Sequence, residues 1–250
     1  SQPLVMGIMN VTPDSFFADS RVQTEEAIRQ RAHEIVAEGA KIIDVGACST
    51  RPGSEAISAE EEMRRLAFAL PIIRDAEPDA IISIDTFHAS IARCTVEEFG
   101  ADIINDVEEG KDPDMFPTVA ELGTPYILMS TAANLHDMLI NFSREVQELR
   151  ALGQKDIILD PGFGFGKTPA QNMALVRECR RFKHDRYPLL LGVSRKSTIG
   201  HYLHNAPVGE RLHGSVTLAA LAAWQGADIV RVHDVAATRD ALRITAALRG

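Results

Sequence analysis

One five-residue pattern occurs three times in this chain, and its spacing limits the possible folds more than any other feature. Gly39-Ala40-Lys41-Ile42-Ile43, Gly100-Ala101-Asp102-Ile103-Ile104 and Gly226-Ala227-Asp228-Ile229-Val230 share it, with their glycines 61 and 126 residues apart. Those separations approximate two and four copies of a unit of about 31 residues, the size of one strand plus one helix. Each Gly is placed to end a helix in a left-handed C-cap, and each β-branched pair to open a buried strand. Read outward from these anchors, the sequence predicts eight strands, at Leu4–Asn10, Lys41–Gly46, Ala80–Thr86, Asp102–Asp106, Pro125–Ser130, Asp156–Asp160, Pro188–Ser194 and Asp228–His233. All are short continuous apolar runs, as strands covered on both faces require.

Helical spacing fills the intervals. Ile28, Ala32, Ile35 and Gly39 repeat at it, as do Ala59, Met63, Leu66, Leu70 and Ile73 after a Ser58-x-x-Glu61 capping box. Thr168-Pro169 and Asp112-Pro113 each read as an N-cap followed by Pro at the first helical position. No linker or shift in composition divides the chain. Eight alternating units in 250 residues predict an α/β fold, a TIM (β/α)8 barrel formed as a single domain over residues 1–250.

Composition supports a full core, with 45% apolar and 24% charged residues. The balance of 26 Lys and Arg against 35 Asp and Glu, a net charge of −9, argues against a general nucleic-acid or anionic-membrane binder. A local basic pocket stays open. No apolar run approaches the roughly 20 residues needed to span a bilayer. Cys48, Cys94 and Cys179 are odd in number and far apart, favouring neither a disulfide framework nor a zinc site. Without a signal-peptide pattern, a reducing cytoplasm is the expected location.

Barrel chemistry gathers at the C-terminal ends of the strands. There the sequence places Asn10, then Ser49-Thr50-Arg51-Pro52-Gly53 after strand 2, Asp85, Asn105-Asp106, Met129-Ser130, Asp160, Ser194-Arg195-Lys196-Ser197, and Arg231 with His233 and Asp234. One Asp or Asn after a strand is ordinarily a turn former or helix cap. Eight in register need another explanation. The mixed signs suit a ligand with a donor-rich head and an anionic tail.

Other motifs are weaker. Gly162-Phe163-Gly164-Phe165-Gly166-Lys167-Thr168 is one residue short of a nucleotide P-loop and carries two bulky rings, so it reads as a loop wall. His201 and His204 lack a third ligand and read as solvated surface residues. Cys48 reads as a small buried residue more readily than a nucleophile. Arg231 and His233 share a strand face beside the last helix, which makes an anion site.

Seven short stretches, in order and at the expected strand ends, resemble the dihydropteroate synthases over essentially the whole chain. They are Gly7–Phe16, Ser49–Gly53, Ser83–Thr86, Ile104–Asp106, Asp160–Lys167, Ser194–Ser197 and Arg231–Asp234. The resemblance implies a Mg²⁺-dependent transferase of folate biosynthesis and a sulfonamide target. Its substrates would be 6-hydroxymethyl-7,8-dihydropterin diphosphate and 4-aminobenzoate. It further implies that Asp160 accepts the paired pterin donors, that Asp85 and Asn105 bind the remaining edge, and that Met129 walls the pocket. Lys196 would reach the ring and Arg231 would stack on it. His233, Asn10, Thr50 and Arg51 would gather around the diphosphate, with Mg²⁺ on Asn10. Ser197, Pro52 and Phe165 would line the aminobenzoate pocket, and a homodimer is the expected assembly. Against the family pattern, Met129-Ser130-Thr131-Ala132-Ala133 replaces a longer His- and Pro-containing stretch, and Cys48 stands where many members carry Glu. The alternatives are a pterin-binding methyltransferase-type barrel and a non-catalytic pterin-binding module.

Overall fold

A computed structural model describes residues 2–13, 21–48, 56–183 and 186–250. Among the described residues, eight strands alternate with helices. The first half runs β1 (Leu4–Asn10), α1 (Arg21–Ala37), β2 (Ile42–Gly46), α2 (Ala59–Ala76), β3 (Ile81–Asp85), α3 (Ala89–Phe99), β4 (Ile103–Asp106) and α4 (Met115–Leu122). The second runs β5 (Tyr126–Met129), α5 (Leu135–Ala151), β6 (Ile157–Asp160), α6 (Pro169–Arg177), α7 (Cys179–Phe182), β7 (Leu190–Leu191), α8 (Ser197–Tyr202), α9 (Leu212–Trp224), β8 (Ile229–Val232) and α10 (Val235–Arg249). The strands pair in parallel in the order β6-β5-β4-β3-β2-β1-β8-β7, and a parallel bridge from Leu159 to Leu189 joins the two ends. The predicted TIM barrel is the fold observed. No described helix is long and apolar enough to cross a membrane.

The repeat acts as the sequence implies. Gly39, Gly100 and Gly226 all have positive φ, and the Ala after each donates its N–H to the helix just ended, on Ile35, Thr95 and Ala222. A Cβ-bearing residue would be strained at each helix-to-strand turn. Thr168 heads α6 with a full capping box to Gln171. At α2 only half of the expected box forms. Ser58 Oγ accepts from Glu61 N, but the Glu61 carboxylate turns to Arg64 and Arg65. The expected start of α4 at Asp112-Pro113 is two residues early, because Asp112 caps a different helix by accepting from Ala89 N at the head of α3. The seventh strand is shorter than expected, since the chain leaves the sheet after Leu191 and turns at Ser194-Arg195.

Period-two alternation divides the barrel into two apolar layers. Outward residues such as Val5, Ile43, Ile82, Ile104, Leu128, Leu159, Leu191 and Val230 pack among the helices in the large core. Met6, Ile42, Ile103, Ile127, Ile158, Leu190 and Ile229 form a separate cluster that plugs the barrel interior. Two residues further along the same strands, the interior changes character, to Asp44, Asn105, Met129, Asp160 and Arg231. A packed barrel carries branched aliphatics at such a level. Here it is polar and sits under the open C-terminal mouth.

Candidate active site

Strand register sets this polar level. Asn10 lies opposite Gly46, and Gly46 opposite Asp85; Asp85 lies opposite Asn105, and Met129 opposite Asp160. Arg231 is the hub. Its Nε donates to Asp44 Oδ2 at 2.6 Å and a terminal nitrogen to Asp85 Oδ2 at 3.0 Å. The same Asp44 oxygen accepts from Asn105 Nδ2 at 3.1 Å. Asp44 Oδ1, Ser83 Oγ and Asn105 Oδ1 are buried without a hydrogen-bond partner among the described residues. Buried orphan acceptors are costly, so three at one level suit a ligand or ordered water that completes them.

Asp160 ends β6, buried, with Oδ1 accepting from Gly162 N at 2.8 Å. Burial pushes its carboxyl up, against the pull of that bond and of Lys196. The Gly162 loop bends tightly here, and a Cβ on Gly162 would stand 2.3 Å from the Ser130 carbonyl oxygen. Lys167 Nζ donates to Gly162 O and Phe165 O, tying the loop to itself. Phe163 is buried, and Phe165 lies beneath Lys196 with its ring centroid 4.6 Å from Nζ.

Lys196 reaches the mouth because Arg195 adopts a left-handed backbone, φ +57°, which a non-glycine residue holds only when its surroundings enforce it. Three ties do so. Arg195 N donates to Ser215 Oγ, its guanidinium grips Asp234 through two nitrogens, and its carbonyl accepts from Arg211. Lys196 Nζ then donates to Phe163 O. Burial lowers its pKa to about 7, with Asp160 opposing the shift and Arg231 and Lys167 adding to it. Asp85 moves the other way. Burial raises it to about 7, Arg231 restrains it, and the Asp44 charge adds to the rise. Arg231 stays firmly charged, since Asp44 and Asp85 outweigh the cost of its burial.

His233 stands at the rim with its Nδ1 2.8 Å from Ser194 Oγ, which also accepts from the His233 N–H. Ser197 begins α8 and is exposed. The structure thus gathers Asn10, Asp85, Asn105, Met129, Asp160, Phe165, Lys196, Ser197, Arg231 and His233 at one mouth. Thr50, Arg51 and Pro52 lie outside the described residues. His201 and His204 are exposed, as expected. Burial pushes the Cys48 thiol up to about 12, which disfavours a thiolate at this position. Sequence reading missed Asp44 and Ser83. Both face the interior by period two from Ile42 and Ile81, and an Asp inside the run Ile42-Ile43-Asp44-Val45 was the available signal.

Residues 6–233 match the family model described as pterin binding enzyme. The dihydropteroate synthase of Escherichia coli strain K12 is 38% identical over 99% of this chain and 92% of its own length. A solved Clostridium difficile dihydropteroate synthase, crystallised with pteroic acid, superposes with a TM-score of 0.91 at 35% identity, covering 99% of this chain and 97% of its own. The Xanthomonas albilineans enzyme with 4-aminobenzoic acid gives 0.89 at 36% identity, over 100% and 94%. With the fold, the polar level and near-complete coverage in agreement, this chain belongs to the dihydropteroate synthase family of pterin-binding enzymes.

Proposed function

We propose that this chain joins 6-hydroxymethyl-7,8-dihydropterin diphosphate to 4-aminobenzoate, giving 7,8-dihydropteroate and diphosphate. The observation that carries this reading is the polar level inside the barrel, where Asp160 and the orphan oxygens of Asp44, Ser83 and Asn105 face a mouth supplied with Lys196, Arg231 and His233. A dihydropterin presents its 2-amino group and N3–H side by side, and the Asp160 carboxylate is the acceptor suited to both. Asp85 and Asn105 take the other edge and Met129 walls the ring. Lys196 reaches the ring from above, and Arg231 offers a planar cation to it.

His233 and Asn10, with Thr50 and Arg51, hold the diphosphate. Charge neutralisation there lets the exocyclic C–O bond break with its electron pair leaving on the diphosphate. The electron-rich ring delocalises the cation that remains. The 4-amino lone pair of aminobenzoate, seated by Ser197, Pro52 and Phe165, forms the new C–N bond, and one N–H proton passes to solvent water. An aniline nitrogen is neutral at pH 7, so little general-base help is needed. Asn10 Oδ1 stands over Gly46, 3.5 Å from where a Cβ there would lie, and is the kind of hard oxygen donor that Mg²⁺ takes alongside substrate phosphates. Asn10 would hold the ion, which would supply further charge to the leaving diphosphate.

A homodimer belongs to the same reading, supported by exposed apolar side chains on α9 and α10. The three unpaired cysteines accord with a reducing cytoplasm. Diphosphate release, measured with and without 4-aminobenzoate and Mg²⁺, tests the reaction. Turnover that requires the aminobenzoate is expected. Its absence at micromolar enzyme would leave the methyltransferase-type or non-catalytic alternatives.

A further inference from the structure

We infer that Asp44 is a positioning residue of the pterin site, orienting both Arg231 and Asn105 toward the substrate ring. This rests on the pterin reading above.

Asp44 is fully buried in the middle of β2, one level above the apolar plug. A lone carboxylate there would be strongly disfavoured, and two neighbours explain its tolerance. The first is Arg231, whose Nε it accepts at 2.6 Å. Arg231 has two carboxylate partners with different situations. Asp85 stands at the open end of β3, where substrate arrives, whereas Asp44 is sealed below. When Asp85 turns to the pterin edge, Asp44 alone keeps the guanidinium in its plane. A cation with its side-on Nε anchored keeps its terminal nitrogens and its flat face available above.

The second neighbour is Asn105. An ionised carboxylate only accepts, so the group facing Asp44 Oδ2 must be the Asn105 NH₂. The amide is thereby locked in one orientation, and its Oδ1, buried and unpartnered, is presented as an acceptor. Asp44 thus decides whether Asn105 offers oxygen or nitrogen to the ring. A residue two steps removed from the reaction sets the donor–acceptor pattern that the substrate reads.

Asp44→Asn, nearly isosteric, tests this. It can place its own NH₂ against Asn105 and Arg231, so both lose their fixed orientation. The expected result is a rise of roughly tenfold or more in the KM for pterin diphosphate and in the calorimetric Kd for unreactive 6-hydroxymethylpterin. The KM for 4-aminobenzoate, measured at saturating pterin diphosphate, should stay unchanged. A general loss of packing would move both substrates together, and that outcome overturns the assignment, as does an unaltered pterin Kd. Because D44N leaves buried Arg231 with Asp85 as its one remaining carboxylate partner among the described residues and can impair folding, the double variant Asp44→Asn/Arg231→Gln removes the pair as a unit. Its pterin Kd should be no weaker than that of Arg231→Gln alone beyond the part carried by Asn105, well short of the product of the two single losses. Fully multiplicative losses would overturn coupling through Arg231. Wild-type protein that fails to bind the pterin sinks the functional reading itself. Wild-type binding with an unaffected D44N sinks only the role of Asp44.

Discussion

Asp160 and Lys196 carry opposite liabilities in the same mouth. Asp160 gives up water for one backbone N–H, and a bidentate donor pair from a ligand would restore what it lacks. Asp160→Asn keeps the shape but replaces one acceptor with a donor. It should cost roughly 2–4 kcal/mol of pterin affinity, and unchanged binding in a calorimeter would show that the pterin sits elsewhere. Lys196, lowered to about 7 chiefly by burial, should have roughly half its amines neutral at pH 7, against a trace for an ordinary lysine. Brief treatment with acetic anhydride at pH 7 should modify it ahead of exposed Lys41 and Lys111, and bound pterin should protect it. Peptide mass spectrometry reads both effects. Most of these side chains were legible as strand-terminal residues in the sequence. Asp44 was not, because attention to strand ends treats strand interiors as core, and only the inward alternation reveals a carboxylate placed mid-strand.

Helices and loops show where local signals suffice and where distant partners override them. The α6 cap at Thr168 was readable because all its parts lie within four residues. Asp112 was misread because its partner, Ala89 N, lies 23 residues earlier, beyond any local pattern. The structure shows what secures the segment after β5. Glu109, in a left-handed turn after β4, accepts from Thr131 N at 3.0 Å and from the Thr131 hydroxyl, while Asn134 caps α5. Behind this tie Glu145 on α5 is buried, and that burial, with the nearby Glu109 charge, raises it from 4.5 to about 7. Between those values the folded chain holds a proton that the unfolded chain releases. Stability should therefore fall as pH rises from about 4.5 to 7, then level off. Glu145→Gln removes the titrating group and can donate to Glu109. It should gain on the order of 1–3 kcal/mol over wild type at pH 8 and little at pH 5, by urea denaturation. Equal effects at both pH values would reject the account.

At the scale of the whole molecule, repeat spacing and length yielded the barrel and its eight strands, because each module is one strand plus one helix of nearly constant length. Assembly was not legible in that way, since surface side chains obey no period set by the fold. On α10, Ile244 and Leu248 are one helical turn apart and 73% and 74% exposed, and Leu221 on α9 is also exposed. If pairing covers this face, Ile244→Lys/Leu248→Lys should convert a dimer to a monomer in sedimentation at micromolar concentration, with the barrel still folded. A wild-type monomer would reject the homodimer, and a variant that still pairs would place the interface elsewhere. The seven-residue apolar plug beneath the polar level has its own consequence for traffic. Among the described residues it closes the barrel from below, so a ligand lying deepest would have to arrive first and depart last. A pterin lodged against the plug would be corked by any arylamine seated above it. The joined product, long enough to occupy both depths, would have to withdraw in one piece, tail first.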